Sequence, residues 1–403
     1  MNKLILFVFL VLFGCKNTIP IRDNAMQNAA TISHLTTDDQ NSQLLQDISP
    51  RHEMIRYMGR VDFSNEIGPA FSHPGVNLRV RFTGTSLRVR LDDNALRQSV
   101  DTINYFNVVV DESAPVRLKT TPGQQEYILA EKLLPGTHEV VLFKRTESSH
   151  ADDLNVGKIS VRGFRIDAGA RLLEPSSRKL KMEFIGDSIT CGYGNELSVH
   201  NPVDDHFTTH NSNAYLAYGA VAARKLNAEY VAVAYSGRGV VRNYAGHVSP
   251  TIPEIYLKTL PDDPNTTVWN PEDYVPDIVV INLGTNDFSE GLTPGAAVDA
   301  LTQNYAAGYE AFLAKLVSYY PDAQFILVVG PMLSDDYPEG YNALSRVRQV
   351  LQSLIKKKKE SGSNNIHLLE LATQQPPFGE DFHPTAATHE RMAKELVDFI
   401  SRL

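Results

Sequence analysis

Ser188 and His383 are the side chains best suited to covalent chemistry. Ser188 sits in Gly186-Asp187-Ser188-Ile189-Thr190, directly after the mostly apolar run from Met182 to Ile185. His383 sits in Asp381-Phe382-His383-Pro384, where the last helical pattern opens. A serine hydroxyl becomes a good nucleophile only when a neighbouring base takes its proton. Imidazole titrates near neutrality and suits that task. Such a pair could attack an acyl carbonyl. Two more sites, Ser236-Gly237 and Gly284-Thr285-Asn286-Asp287, also follow apolar strand-like runs. Alone, Gly-Asp-Ser reads as an ordinary turn, because all three are common turn residues. Four such sites in this order point to chemistry instead.

The elements that must position these residues follow a βα period. After Leu172-Leu173-Glu174-Pro175-Ser176-Ser177, strand-like runs alternate with long helical patterns. Strands are expected at Glu229 to Ala234, Asp277 to Leu283, Gln324 to Val329 and Ile366 to Leu371, besides the run before Ser188. Helices are expected over 213–226, 296–320, 341–357 and 384–403. This alternation predicts an α/β domain over 178–403, a parallel sheet flanked by helices. Active groups of such sheets gather at the carboxyl ends of strands, where all four sites fall.

Residues 52–172 have another pattern. Val76, Leu78, Val80 and Phe82 alternate along one run, and Leu87-Arg88-Val89-Arg90-Leu91 alternates apolar with charged. Tyr105 to Val110, His138 to Lys144 and Lys158 to Ile166 are also strand-like. Short runs parted by Gly, Pro, Asp and Asn turns predict an all-β sandwich. Residues 16–51 are polar, rich in Asn, Gln, Asp and Thr, and read as a tether.

The first 15 residues read as a targeting segment. Lys3 precedes an apolar stretch, Leu4 to Phe13, too short to span a bilayer comfortably. It ends at Leu12-Phe13-Gly14-Cys15, which resembles a bacterial lipoprotein signal; the bulky Phe13 departs from the small-residue preference there. The resemblance implies lipidation of Cys15 and an exported protein anchored to a membrane, in the periplasm or at the cell surface. The alternative is an ordinary cleaved secretory signal. Two or more acyl chains would suffice for stable anchoring. Cys191 is the only other cysteine, so no intramolecular disulfide remains once Cys15 is lipidated or removed. Cys191 is expected to pack under the Ser188 turn. No zinc-like ligand spacing is present, and no metal is expected. The formal net charge of −9 argues against a nucleic-acid partner, which usually needs a basic face. The basic run Lys356 to Lys359 fits the end of a helix, where cations are favoured.

Gly186-Asp187-Ser188-Ile189-Thr190 resembles the first block of the SGNH, or GDSL-type, hydrolases. Gly237 resembles their second-block glycine, Gly284-Thr285-Asn286-Asp287 their third block, and His383 their fifth-block histidine. The longer run through Cys191-Gly192-Tyr193-Gly194, behind a β domain, resembles carbohydrate esterase family 2. That family pairs a jelly-roll-like sandwich with an SGNH domain and removes acetyl groups from polysaccharides such as xylan and glucomannan. The resemblance implies Ser188 as nucleophile and His383 as base. It nominates the backbone N–H of Ser188, the backbone N–H of Gly237 and the side-chain amide of Asn286 as the oxyanion hole. Gly239 is a second candidate for the glycine role. It implies no metal and no organic cofactor.

The partner of His383 has three candidates. Most SGNH hydrolases place an aspartate three residues before the histidine, where this chain has Glu380. Family 2 members that have an acid place it two before, at Asp381, which is the expectation here. Other relatives use a backbone carbonyl. Asp187 and Asp287 are expected to brace their turns. Trp269, the only tryptophan, and Tyr193 are candidate substrate contacts; an anchor in the domain seam is the alternative for Trp269. His206, His210 and Tyr244 are further candidate cleft residues. The expected substrate is an acetylated polysaccharide or oligosaccharide. Rival readings are an SGNH esterase acting on another acylated small molecule or lipid, and an inactive glycan-binding lipoprotein. Oligomeric state is not readable.

Overall fold

The computed structural model describes residues 44–93, 102–121, 123–148, 157–197 and 207–403. The signal segment with Cys15, the tether as far as residue 43, and His206 lie outside them. From residue 44 onward the chain forms one compact unit built of a β-sandwich and an α/β layer structure.

The sandwich has two antiparallel sheets. One joins Leu45–Ile48, Ile159–Asp167, Leu87–Asp93 and Glu126–Ala130, with Ala70–Phe71 beside Ile159–Asp167. The other joins Leu172–Leu173, Asn77–Gly84, Gly136–Lys144, Tyr105–Val110 and Val116–Lys119, with Ile55–Met58 beside Asn77–Gly84. Alternation decides which side chains enter the core between them. Leu87, Val89 and Leu91 are buried there with Leu78, Val80 and Phe82, while Arg88 and Arg90 between the first three pair with Glu126 and Asp47. The strand Leu45–Ile48 lies within the expected tether: it pairs with Phe164 to Asp167, so the fold begins earlier than residue 52.

The second layer system is a five-stranded parallel sheet. Its order is Ala228–Ala234, Leu180–Gly186, Ile278–Asn282, Gln324–Val329, Ile366–Glu370. Both faces are covered, which explains the continuous apolar runs. Ile185, Val279, Ile281 and Leu327 face the helices Ala296–Tyr319 and Ala343–Glu360. Met182, Phe184, Val280 and Val328 face Tyr218–Lys225 and Ala386–Ile400. The single helix expected over 213–226 is two pieces. Asn213 caps a 3-10 turn, Ala214–Leu216, and Ala217 is extended (φ −66°, ψ 149°) before the α-helix starts.

The two parts share a buried seam. Arg60 of the sandwich donates to Glu183 of the central strand at 2.8 Å, with both side chains fully buried. The Tyr256 hydroxyl holds the other Glu183 oxygen at 2.7 Å. Phe143 of the sandwich packs in the same cluster as Phe184 and Tyr230.

Candidate active site

The sheet brings three turns together. Gly186 is in register with Ala234 on one side and Asn282 on the other. The turns that follow, through Ser188, Gly237 and Asn286, therefore emerge side by side. Gly186 has to be glycine: a Cβ there would lie 2.0 Å from Thr190 Oγ1. Ser188 begins a four-residue helix, Ser188–Cys191, whose N-cap is Asp187; the Asp187 Oδ1 accepts the Ile189 N–H at 3.1 Å. Gly237 has φ +75°, a backbone conformation that favours glycine.

His383 arrives from the far end of the chain. Its loop is pinned to the segment after the Ser188 helix: Glu380 N–H donates to Gly194 O at 3.2 Å and Ala386 N–H to Asn195 O at 2.7 Å. The His383 Nε2 lies 2.8 Å from Ser188 Oγ. Across the ring, Nδ1 lies 3.0 Å from the carbonyl oxygen of Glu380 and 3.1 Å from that of Asp381. With Nδ1 protonated and donating to these carbonyls, Nε2 is the basic nitrogen facing the serine. Burial lowers the His383 pKa below the ordinary imidazole value, while the Glu380 and Asp381 carbonyls and the Asp381 charge act to raise it.

The expected carboxylate partner of His383 is thus replaced by two backbone carbonyls. Asp381 and Phe382 both adopt left-handed backbone, at φ 47° and 61°. That turn carries the Asp381 side chain to the Tyr193 hydroxyl, whose O–H it accepts. Glu380 is not the acid either. Its buried carboxylate accepts the Thr208 N–H at 2.9 Å, the Thr208 hydroxyl at 2.6 Å and the Asn211 amide at 2.7 Å.

Tyr193 supports the base rather than lining an open cleft. Its ring stacks on the His383 ring at 4.2 Å, and burial with the Asp381 hydrogen bond raises its pKa. Trp269 is a seam anchor. The Arg60 guanidinium lies 4.5 Å from its ring, and it packs with Met58, Val231 and Tyr274 in a cluster apart from Ser188 and His383. His210 also belongs to the seam, beside Arg117 and Tyr105. Tyr244 does border the site. Its N–H donates to Gly237 O at 2.8 Å, and its exposed hydroxyl donates to Glu290 at 2.7 Å. Tyr337, also exposed, reaches the same carboxylate at 3.3 Å; sequence reasoning did not single out Tyr337 or Glu290.

Three donor groups were expected to face an oxyanion. Among the described residues, the N–H groups of Ser188 and Gly237 donate to no acceptor. The Gly239 N–H is taken by Asn243 Oδ1 at 3.1 Å, which leaves Gly237 as the glycine with a free donor. The Asn286 amide donates to Asp187 Oδ2 at 3.2 Å and to Arg238 O at 3.0 Å. It ties the serine turn to the Gly237 turn. Asp287 braces the same region by accepting the N–H groups of Val240, Val241 and Arg242 at 2.8 to 3.1 Å. Burial pushes the Asp187 carboxyl up to about 7 and that of Asp287 up to about 6. Cys191 is buried, and burial raises its thiol pKa well up, as a packing residue requires. Among the described residues no group of three His, Cys, Asp or Glu side chains could hold a metal.

Residues 57–175 match the family described as carbohydrate esterase 2 N-terminal, and residues 184–391 match the GDSL-like lipase/acylhydrolase family. The chain is 34% identical over 344 residues to the cellulase/esterase CelE of Acetivibrio thermocellus, covering 85% of this chain and 38% of that protein. It therefore spans well under half of that relative's length. It is 35% identical over 285 residues to an acetylxylan esterase / glucomannan deacetylase of Cellvibrio japonicus, covering 69% of this chain and 73% of that protein. A solved family two carbohydrate esterase from Clostridium thermocellum, in complex with cellohexaose, has the same fold: TM-score 0.75 at 34% identity, over 86% of this chain and 98% of that one. Sandwich, parallel sheet, serine turn and these matches agree: the chain belongs to carbohydrate esterase family 2, within the GDSL-like lipase/acylhydrolase family.

Proposed function

We propose that this protein is a serine O-acetylesterase that removes acetyl groups from plant polysaccharides such as xylan or glucomannan. The observation that carries the reading is the Ser188 Oγ to His383 Nε2 contact of 2.8 Å beside the N–H groups of Ser188 and Gly237, which meet no acceptor among the described residues. Relatives named for xylan and glucomannan deacetylation support the substrate class, as does the relative that holds cellohexaose. The exposed rings of Tyr244 and Tyr337, set by one carboxylate beside Gly237, suit contact with sugar faces.

The chemistry runs in two halves. His383 Nε2 takes the Ser188 proton as Oγ bonds to the acetyl carbonyl carbon. The carbonyl oxygen becomes an oxyanion held by the Ser188 and Gly237 N–H groups. Asn286 joins as third donor by releasing the longer of its two bonds, the one to Asp187. The C–O bond to the sugar breaks, and the sugar oxygen leaves with the proton from His383. Water then gives a proton to His383 and attacks acetyl-Ser188; acetate leaves and Ser188 regains its proton. Throughout, the Glu380 and Asp381 carbonyls hold Nδ1–H.

The test is acetate release from acetylated xylan and glucomannan, set against 4-nitrophenyl esters of increasing acyl length. Release from a polysaccharide, with the small esters failing beyond short acyl chains, is the expected result. Preference for long acyl chains and no release from either polysaccharide would overturn the substrate assignment. We further infer that Cys15 carries lipid and that the tether holds the enzyme on a bacterial membrane, facing the periplasm or the outside. Cys15→Ala should move the protein from the membrane fraction to the soluble one; an unchanged distribution would refute the anchor.

A further inference from the structure

A carboxylate from the sandwich reaches the turns on which the reaction depends. The chain leaves the strand Gly136–Lys144 and runs through Glu147 with Arg145 to Ser148 all buried. Lys144, fully buried, fixes the segment from within: its Nζ donates to the carbonyls of Thr146 at 2.5 Å and Glu147 at 3.3 Å. Glu147 then accepts two bonds from one residue of the hydrolase domain, the Ser236 N–H at 2.8 Å and the Ser236 hydroxyl at 2.5 Å. The Cys191 thiol donates to the same carboxylate at 3.4 Å.

The positions of those two partners matter. Ser236 directly precedes Gly237, which supplies one oxyanion donor. Cys191 ends the four-residue helix that begins at Ser188, which supplies nucleophile and the other backbone donor. The two turns leave different strands, and Gly237 has no side chain with which to hold itself. A buried carboxylate is costly unless its hydrogen bonds are made. Here three of them join the two turns.

We propose that Glu147 is a positioning residue for the oxyanion site, supplied by the sandwich domain, which fixes the Ser236-Gly237 turn against the Ser188 helix. The proposal rests on the esterase reading above. It gives the sandwich a part in the chemistry besides any part in holding glycan. The Glu147 charge also acts to raise the proton affinity of His383, in the direction that favours the imidazolium formed when Ser188 attacks.

The test compares parent, Glu147→Ala, Glu147→Gln, Ser236→Ala and Ser188→Ala on 4-nitrophenyl acetate, with a thermal melt for each. Loss of a full oxyanion donor costs about 10²- to 10³-fold in kcat. Glu147→Ala should lose about 10²-fold in kcat with KM within about threefold, because the donor and not the substrate contact is displaced. Glu147→Gln, which keeps an acceptor for the Ser236 N–H, should recover to within about tenfold of the parent. The inhibition constant of phenylboronic acid, which forms a tetrahedral adduct on Ser188, should rise in step with the fall in kcat. If Glu147→Ala does not fold, Glu147→Gln and Ser236→Ala decide. Parental kcat in both of these, or a change confined to KM, would overturn the inference. A parent with no Ser188-dependent hydrolysis would instead overturn the esterase reading, and the inference with it.

Discussion

Replacing Asp381 by Asn separates a carbonyl-held base from a carboxylate-held one. In a Ser-His-Asp triad the same change costs about 10⁴-fold in kcat, because the imidazole settles in the wrong tautomer. Here Nδ1 faces the Glu380 and Asp381 carbonyls at 3.0 and 3.1 Å, and neither acceptor depends on the Asp381 side chain. Asparagine also retains an oxygen to accept the Tyr193 hydroxyl. What is lost is the charge. Asp381 is exposed, so its field at the ring is screened by water. Two unit charges a few ångströms apart in water interact by about 1 kcal/mol. Since 1.36 kcal/mol is tenfold, the expected loss is about fivefold in kcat. The assay is steady-state hydrolysis of 4-nitrophenyl acetate near neutral pH. A loss of about 10³-fold or more, in a variant that melts like the parent, would show that the carboxylate sets the tautomer and would refute the reasoning.

Two other consequences follow from the same geometry. Burial lowers the His383 pKa from 6.5, so the basic form persists to lower pH than free imidazole allows. The acid limb of kcat/KM should therefore have its midpoint below 6.5; a midpoint above 7 in the pH profile would contradict this. In the seam, Arg60→Ala leaves the buried Glu183 with the Tyr256 hydroxyl as its one hydrogen-bond partner among the described residues. Breaking such a pair costs about 3–5 kcal/mol, so urea unfolding should show a large drop in stability; a change under about 1 kcal/mol would count against it.

Much of this was legible in the sequence, for identifiable reasons. Strands of a parallel sheet covered on both faces read as apolar runs, so the strands before Ser188, Ser236 and Gly284 stood out. The long helices and five of the sandwich strands followed from periodicity, although the helix expected from residue 213 begins only at Tyr218. The partner of His383 was not legible, because it depends on left-handed backbone at Asp381 and Phe382, two residues whose types do not announce it. Leu45–Ile48 escaped because it has apolar residues only at its ends. Glu147 was invisible for another reason: it lies 89 residues from Ser236, in a segment that reads as polar loop, and only the docking of the two domains joins them. Trp269 illustrates the reverse. Sequence alone left it as sugar contact or seam anchor; Arg60 from the other domain, 4.5 Å from the ring, places it in the seam.

The most direct test of the account is the rate of acetate release from acetylated glucomannan and acetylated xylan by the parent and by Ser188→Ala at equal folded concentration. The account predicts release by the parent from at least one polysaccharide and background release by the variant. Release by Ser188→Ala at the parental rate would contradict it.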